Sequence, residues 1–253
     1  MKATNFEFRF RVAIIFAVIW LGFWAPWIEY LGIGSVRRIS LIAWLALELS
    51  RIGLFSFAVA TPAVIVLAAL IAAIGAAIRI WGTAYLGAFT VNHGQMMAGA
   101  VMADGPYRYV RNPLYIGTWF MVAAMSFIMA PTGALFVLVV LTVFELRLIF
   151  AEEAYLTAQL GSPYRAYLSA VPRLFPRLRT TLPPSGANPH WLRSVLYELN
   201  PIGVFITLAF FSWTYNHRLM IQAILVSFGV SLLVRASMPS DLQQPTAQPS
   251  SPE

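Results

Sequence analysis

Gly105-Pro106-Tyr107-Arg108-Tyr109-Val110-Arg111-Asn112-Pro113-Leu114-Tyr115 leads into residues 113–144, a run of 32 residues without a charge. A bilayer-spanning helix needs roughly 20 apolar residues, so the run is too long for one span. Ala130-Pro131-Thr132-Gly133 breaks it near its middle. The run therefore reads as a hairpin of two helices over residues 113–150, and a hairpin returns the chain to the side it left. That side then holds two polar islands. One is the stretch just quoted. The other comprises Glu152-Glu153, Gly161-Ser162-Pro163-Tyr164-Arg165-Ala166-Tyr167 and Val171-Pro172-Arg173-Leu174-Phe175-Pro176.

Composition sets the class. The chain has 253 residues, of which 59% are hydrophobic and 11% charged, with a mean hydropathy of +0.73. These values lie far from those of soluble domains. Residues 12–28 and 52–78 are also free of charge. The pattern predicts an all-α, polytopic transmembrane bundle of about five core helices plus two C-terminal apolar segments. The expected spans are 11–31, 39–60 and 62–81, then the hairpin, then 199–215 and 219–234. The expected division is 1–60 for N-terminal membrane helices, 61–180 for a catalytic core, 181–237 for a linker and membrane hairpin, and 238–253 for a polar tail rich in Pro, Ser and Gln, read as disordered.

The first segment follows Lys2, Arg9 and Arg11, as a signal peptide would follow its basic region. No small-residue cleavage site succeeds it; Trp24, Pro26, Trp27 and Tyr30 suggest an interfacial belt and a retained helix. In the second segment, Glu48 and Arg51 are spaced to pair on one face, and Thr61-Pro62 is read as the break before the third. That third segment carries Ala68, Ala69, Ala72, Ala73, Gly75 and Ala76, small enough for close helix packing.

The net charge of +7 rests almost wholly on arginine, Lys2 being the single lysine. Arg108, Arg111, Arg147, Arg165, Arg173, Arg177 and Arg179 fall on the hairpin's open side, which the positive-inside rule assigns to the cytoplasm. Headgroup contact accounts for them without nucleic acid. If helices two and three both span, Arg37 and Arg38 share that side and the basic N-terminus falls opposite, so the orientation of helix one stays open. There is no cysteine, which removes disulfides and thiol chemistry. His93, His190 and His217 lack metal-ligand spacing, so no metal site is expected.

The islands carry usable chemistry. Asn112 and Pro113 suit the cap and first position of a helix, whose free N–H groups favour an anion. Glu145, Ile149 and Glu152 share a helical face, with Glu153 beside it. Tyr107, Tyr109, Tyr115, Tyr164 and Tyr167 offer aromatic faces for a cation or an adenine.

These motifs, in this order, resemble the isoprenylcysteine carboxyl methyltransferase family and its phospholipid-methyltransferase relatives, over about residues 76–177. Arg79-Ile80-Trp81 and Leu86-Gly87 fit the family's lead-in. The resemblance implies an integral membrane enzyme without a Rossmann domain that uses S-adenosylmethionine (SAM) in a cytosol-facing pocket and takes a lipophilic acceptor laterally from the bilayer. It implies cofactor contacts from Tyr107, Asn112, Pro113, Leu114, Tyr115, Glu152 and Glu153, with Tyr164 and Tyr167 in a closing lid. Glu152, Arg147 and Arg111 are the expected catalytic residues, Arg147 lying near the family's substrate-binding arginine. The family usually has His where this chain has Asn112. The acceptor group stays open between carboxylate, thiol and amine. Two other readings compete: an NADPH-dependent enzyme of the steroid-reductase kind, with a similar Gly-x-Tyr…Arg-x-Pro-x-Tyr pattern, and a non-catalytic membrane scaffold.

Overall fold

The structure, a computed structural model, describes residues 2–24, 39–86, 101–180, 182–184 and 186–238. Ten α-helices and no strand occur among them, an all-α polytopic fold. A short α1 (Asn5–Arg9) precedes α2 (Arg11–Trp24), α3 (Leu41–Arg51) and α4 (Phe57–Leu86). A 3-10 turn at Gly105–Arg108 leads to α5 (Pro113–Ser126), α6 (Pro131–Leu160) and α7 (Ser162–Ala170). α8 (Trp191–Tyr197) and α9 (Leu199–Ile206) then precede α10 (His217–Ser237). Among the described residues three helices, α4, α6 and α10, are long and apolar enough to cross a membrane; α8 and the Leu199–Thr214 segment, bent by 66°, make a fourth if the bent pair is one span.

The hairpin is present as α5 and α6. Pro131 takes the first position of α6, where its missing N–H costs nothing. α4 runs back along α5, and the two backbones touch at their glycines. A Cβ on Gly75 would lie 2.9 Å from the Met121 nitrogen and 3.0 Å from the Gly117 oxygen. Ala68, Ala72 and Ala76 are buried along α4, as the small-residue pattern predicts. α2 meets α6 in the same way: a Cβ on Gly133 would sit 2.0 Å from the Gly22 carbonyl oxygen. Gly133→Ala is expected to prise α2 from α6 at a cost of about 1–2 kcal/mol, read as a lower melting temperature in detergent.

Two expectations need correction. The apolar run 39–60 is not one helix. α3 stops at Arg51, and Gly53 takes a left-handed φ of 74°, a conformation glycine adopts without strain. Glu48 and Arg51 do pair, at 3.0 Å, on an exposed surface. Thr61-Pro62 is no break, because α4 passes through both residues. The Thr61 hydroxyl donates to Phe57 O (2.9 Å) in the turn that Pro62 disturbs, and the boundary at 60/61 therefore falls within one helix.

The orientation of helix one, which the sequence leaves open, follows from two contacts. The Ala3 N–H donates to Arg147 O (3.0 Å), while Gly22 meets Gly133 at the other end of α6. α2 thus runs antiparallel to α6 and begins at the polar-island end. α3 starts at the opposite end, where the Leu41 and Ile42 N–H groups donate to Met129 O (2.7 Å) and Phe127 O (3.1 Å). It does not cross, so the parity that set the basic N-terminus opposite the islands fails. Residues 25–38, with Arg37 and Arg38, lie outside the described residues, as do His93, Gly87 and positions 239–253 of the expected tail.

The C-terminal pair forms a hairpin. The Ser227 hydroxyl donates to Asn200 Oδ1 (3.2 Å), and a Cβ on Gly203 would lie 2.2 Å from Ser227 Cβ. Asn216 caps α10 by accepting from the Leu219 N–H (3.0 Å). α8 and α9 lean on α4, with Val204 and Leu208 fully buried in the main core.

Candidate active site

The open end of the hairpin joins the two islands. Their backbones bond directly, Arg111 N–H to Pro172 O (2.9 Å) and Arg177 N–H to Tyr109 O (3.1 Å). Glu153 stands at the junction, 6% exposed. Its carboxylate meets Arg111 Nη1 at 3.3 Å and Arg173 Nη2 at 2.7 Å. It also accepts from Asn112 Nδ2 (3.3 Å). Successive residues on a helix point about 100° apart, so Glu152 meets different partners. It accepts from the Tyr115 hydroxyl (2.9 Å), and Tyr115 packs against Phe8, Phe144 and Leu148.

Asn112 departs from the cap reading. It occupies the N-cap position of α5, but its side chain makes no capping bond. Its amide instead spans the islands, donating to Glu153 and to Arg173 O (3.2 Å). A tertiary partner has displaced the local preference. Asn112→Ser, able to cap but too short to bridge, is expected to cost about 1 kcal/mol of stability, as much as Asn112→Ala. Thermal unfolding of the two variants side by side checks this; a serine variant as stable as wild type would restore the cap.

Pro113 and Leu114 form the first turn of α5. Tyr107, in the 3-10 turn, is buried, and its backbone oxygen accepts from the Tyr167 hydroxyl (2.8 Å). Tyr164 and Tyr167 are buried on α7, with ring centroids 5.8 Å apart. Burial pushes all three phenols well above the ordinary tyrosine range, reinforced by nearby carboxylates, so they stay neutral. Among the described residues, the Tyr107 hydroxyl and Arg111 Nε are buried without a hydrogen-bond partner.

Beside Glu153 a cleft of about 830 Å³ opens between α6 and α7, lined by Lys2, Phe150, Glu153, Arg165, Leu168 and Arg173 among others. Of the candidate cofactor residues only Glu153 lines it; Glu152 lies on a neighbouring face of α6, where it accepts from Tyr115 of α5. Arg147 is held by Glu7 through Nε (3.1 Å) and Nη2 (2.9 Å). That bond and the Thr4 backbone N–H lower the Glu7 pKa to about 2, so Glu7 remains ionised at neutral pH. Arg147 thus faces α1 and not the Glu153 cluster. Glu145 is buried within α6, with one oxygen unpartnered among the described residues.

Sequence reasoning missed Glu198, which is fully buried. Arg79 clasps it through Nε (2.6 Å) and Nη2 (2.9 Å), and the Thr83 hydroxyl donates to it (2.6 Å). The signal was available: each is a lone charge in an apolar segment, and such charges pair.

Residues 63–162 match the family model of phospholipid methyltransferases. No curated protein and no solved structure matches the chain. The matched residues take in α4 from Ala63 onward, then α5 and the whole of α6. The segment that builds the hairpin and carries Glu152 and Glu153 is thus the part of the chain that is similar to phospholipid methyltransferases.

Proposed function

We propose that this membrane methyltransferase uses SAM at the polar-island end and methylates a lipophilic or lipid-like acceptor admitted from the bilayer. The observation that carries the reading is the convergence of Tyr115–Glu152 and Asn112–Glu153–Arg173 at one end of an apolar hairpin of this family. Two features fit the cofactor. The cleft that reaches Glu153, of about 830 Å³, falls in the range of about 300–1,000 Å³ for small-molecule sites, and it adjoins the other cofactor residues through Glu153 alone. The buried Tyr107 hydroxyl and Arg111 Nε have unused hydrogen-bonding capacity, which a ligand can take up.

SAM supplies an electrophilic methyl group on a positively charged sulfur. Glu152 supplies negative charge to hold that cation, Glu153 being paired with Arg111 and Arg173, and Tyr107, Tyr164 and Tyr167 supply neutral aromatic walls. In-line transfer rests on positioning and the exclusion of water, for which the first turn of α5 and the α7 lid are suited. Arg111 and Arg147 are the groups available to orient an acidic acceptor, Arg147 after release from Glu7. An amine acceptor instead needs a proton acceptor, for which Glu152 is placed.

The site faces the cytoplasm in this reading. Lys2, Arg9 and Arg11 join Arg108, Arg111, Arg173 and Arg177 at the island end, giving the basic excess that the positive-inside rule places there. The test is methyl transfer from radiolabelled SAM in membranes enriched in the protein. Label is expected in the organic-soluble fraction above that of control membranes. Equal label in both would contradict the reading.

A further inference from the structure

Arg79 has three kinds of partner. Besides the two-point clasp on Glu198, its Nη1 donates to Thr118 Oγ1 (2.6 Å) and to Leu114 O (3.4 Å). Thr118 in turn donates to Leu114 O (3.0 Å). Leu114 belongs to the first turn of α5, the turn proposed to meet the cofactor. A chain of polar contacts therefore runs Glu198–Arg79–Thr118–Leu114 under that turn.

The two ends of this chain come from different parts of the sequence. Arg79, Leu114 and Thr118 lie within the matched segment, 63–162. Glu198 lies outside it, between α8 and α9, at the bent junction that leads into the C-terminal hairpin. The bend is itself tied down: the Ser194 hydroxyl bonds Ile80 O, the His190 N–H donates to Ala84 O (2.9 Å), and Arg235 of α10 donates to Tyr197 O (3.1 Å). The carboxylate is thus delivered to Arg79 by a scaffold of backbone contacts.

A guanidinium fixed at two points by a carboxylate has its remaining nitrogen aimed in one direction. Here that direction is Thr118 and Leu114. Without the carboxylate, an arginine 15% exposed in its side chain would seek other partners, and the α5 turn would lose its buttress. The nearby Tyr107 hydroxyl lies 3.6 Å from where a Gly82 Cβ would stand, and Leu114 Cδ2 only 2.8 Å from it. The turn, Tyr107 and α4 are packed without slack, so a shift in Arg79 reaches all three.

We infer that Glu198 is a positioning residue for the cofactor turn, acting through Arg79, and that the C-terminal hairpin is a working part of the methyltransferase site. The inference rests on the SAM reading above. A wild-type protein that binds no SAM ends that reading; wild-type binding with indifferent variants ends this inference alone.

The discriminating variant is the double substitution Arg79→Met with Glu198→Met in the full chain. Replacing a buried ion pair by apolar residues of similar volume is often neutral or stabilising, so the double variant is expected to keep the wild-type melting temperature. Its SAM affinity is expected to fall at least tenfold, and in the ligand-free protein the amides of residues 115–118 should exchange hydrogen faster. Glu198→Gln alone should lose both stability and affinity. Should the double variant not fold, Thr118→Val removes the link to Leu114 that runs through the hydroxyl, leaving only the long direct contact from Arg79 (3.4 Å), with little change of shape and no stranded charge. It should weaken SAM binding severalfold at unchanged stability. Unaltered affinity and exchange in either folded variant would overturn the inference and leave Arg79–Glu198 a structural pair.

Discussion

Replacing Glu153 with glutamine is expected to cost about 3–5 kcal/mol of stability, the usual penalty for stranding a buried charge. The penalty comes chiefly from Arg111, whose side chain is 11% exposed and has no other ion pair among the described residues. Arg173 is 38% exposed and can turn to water, so its share is smaller. The same substitution weakens the acceptor to which Asn112 donates, loosening the first island from the second. Unfolding in detergent should show a much lower melting temperature. Adding Arg111→Met should recover much of the loss, since the stranded charge is then gone. A Glu153→Gln protein as stable as wild type would mean that the islands are held together by their backbone bonds alone.

Glu152→Gln is the second large effect, and it should separate binding from stability. Glutamine can still accept from the Tyr115 hydroxyl, so the fold should change little. The loss is negative charge beside the proposed sulfonium. Removing a charged hydrogen-bonding partner costs about 1–3 kcal/mol, which is roughly a five- to 150-fold weaker SAM affinity. Calorimetric titration of the purified variant reads this directly. Unchanged affinity would make Glu152 a structural partner of Tyr115.

How much of this was legible in the sequence differs from element to element. The hairpin was, because a long uncharged run with a central proline has few other solutions in a membrane. The meeting of the islands followed from it, and Glu153 with Arg111 and Arg173 gives that meeting its distances. The side of the N-terminus was not legible. It turned on whether residues 39–60 cross the membrane, and hydropathy cannot see that Gly53 adopts a left-handed turn and ends α3 early. Asn112 was legible as a cap by local preference, yet its amide is spent on partners 41 and 61 residues away. Arg147 is a similar case. Its place near the family's substrate-binding arginine suggested a role in the site, while the structure gives it to Glu7 on α1. Arg79 and Glu198 are 119 residues apart, and only the packing of the C-terminal hairpin on α4 brings them together.

The central claim is that the polar-island end of the hairpin holds SAM, and calorimetric titration of the wild-type protein in detergent with SAM tests it most directly. The account predicts saturable binding of one SAM per chain, weakened by Glu152→Gln while the variant's melting temperature stays near that of wild type. A folded wild-type protein that takes up no SAM would contradict it.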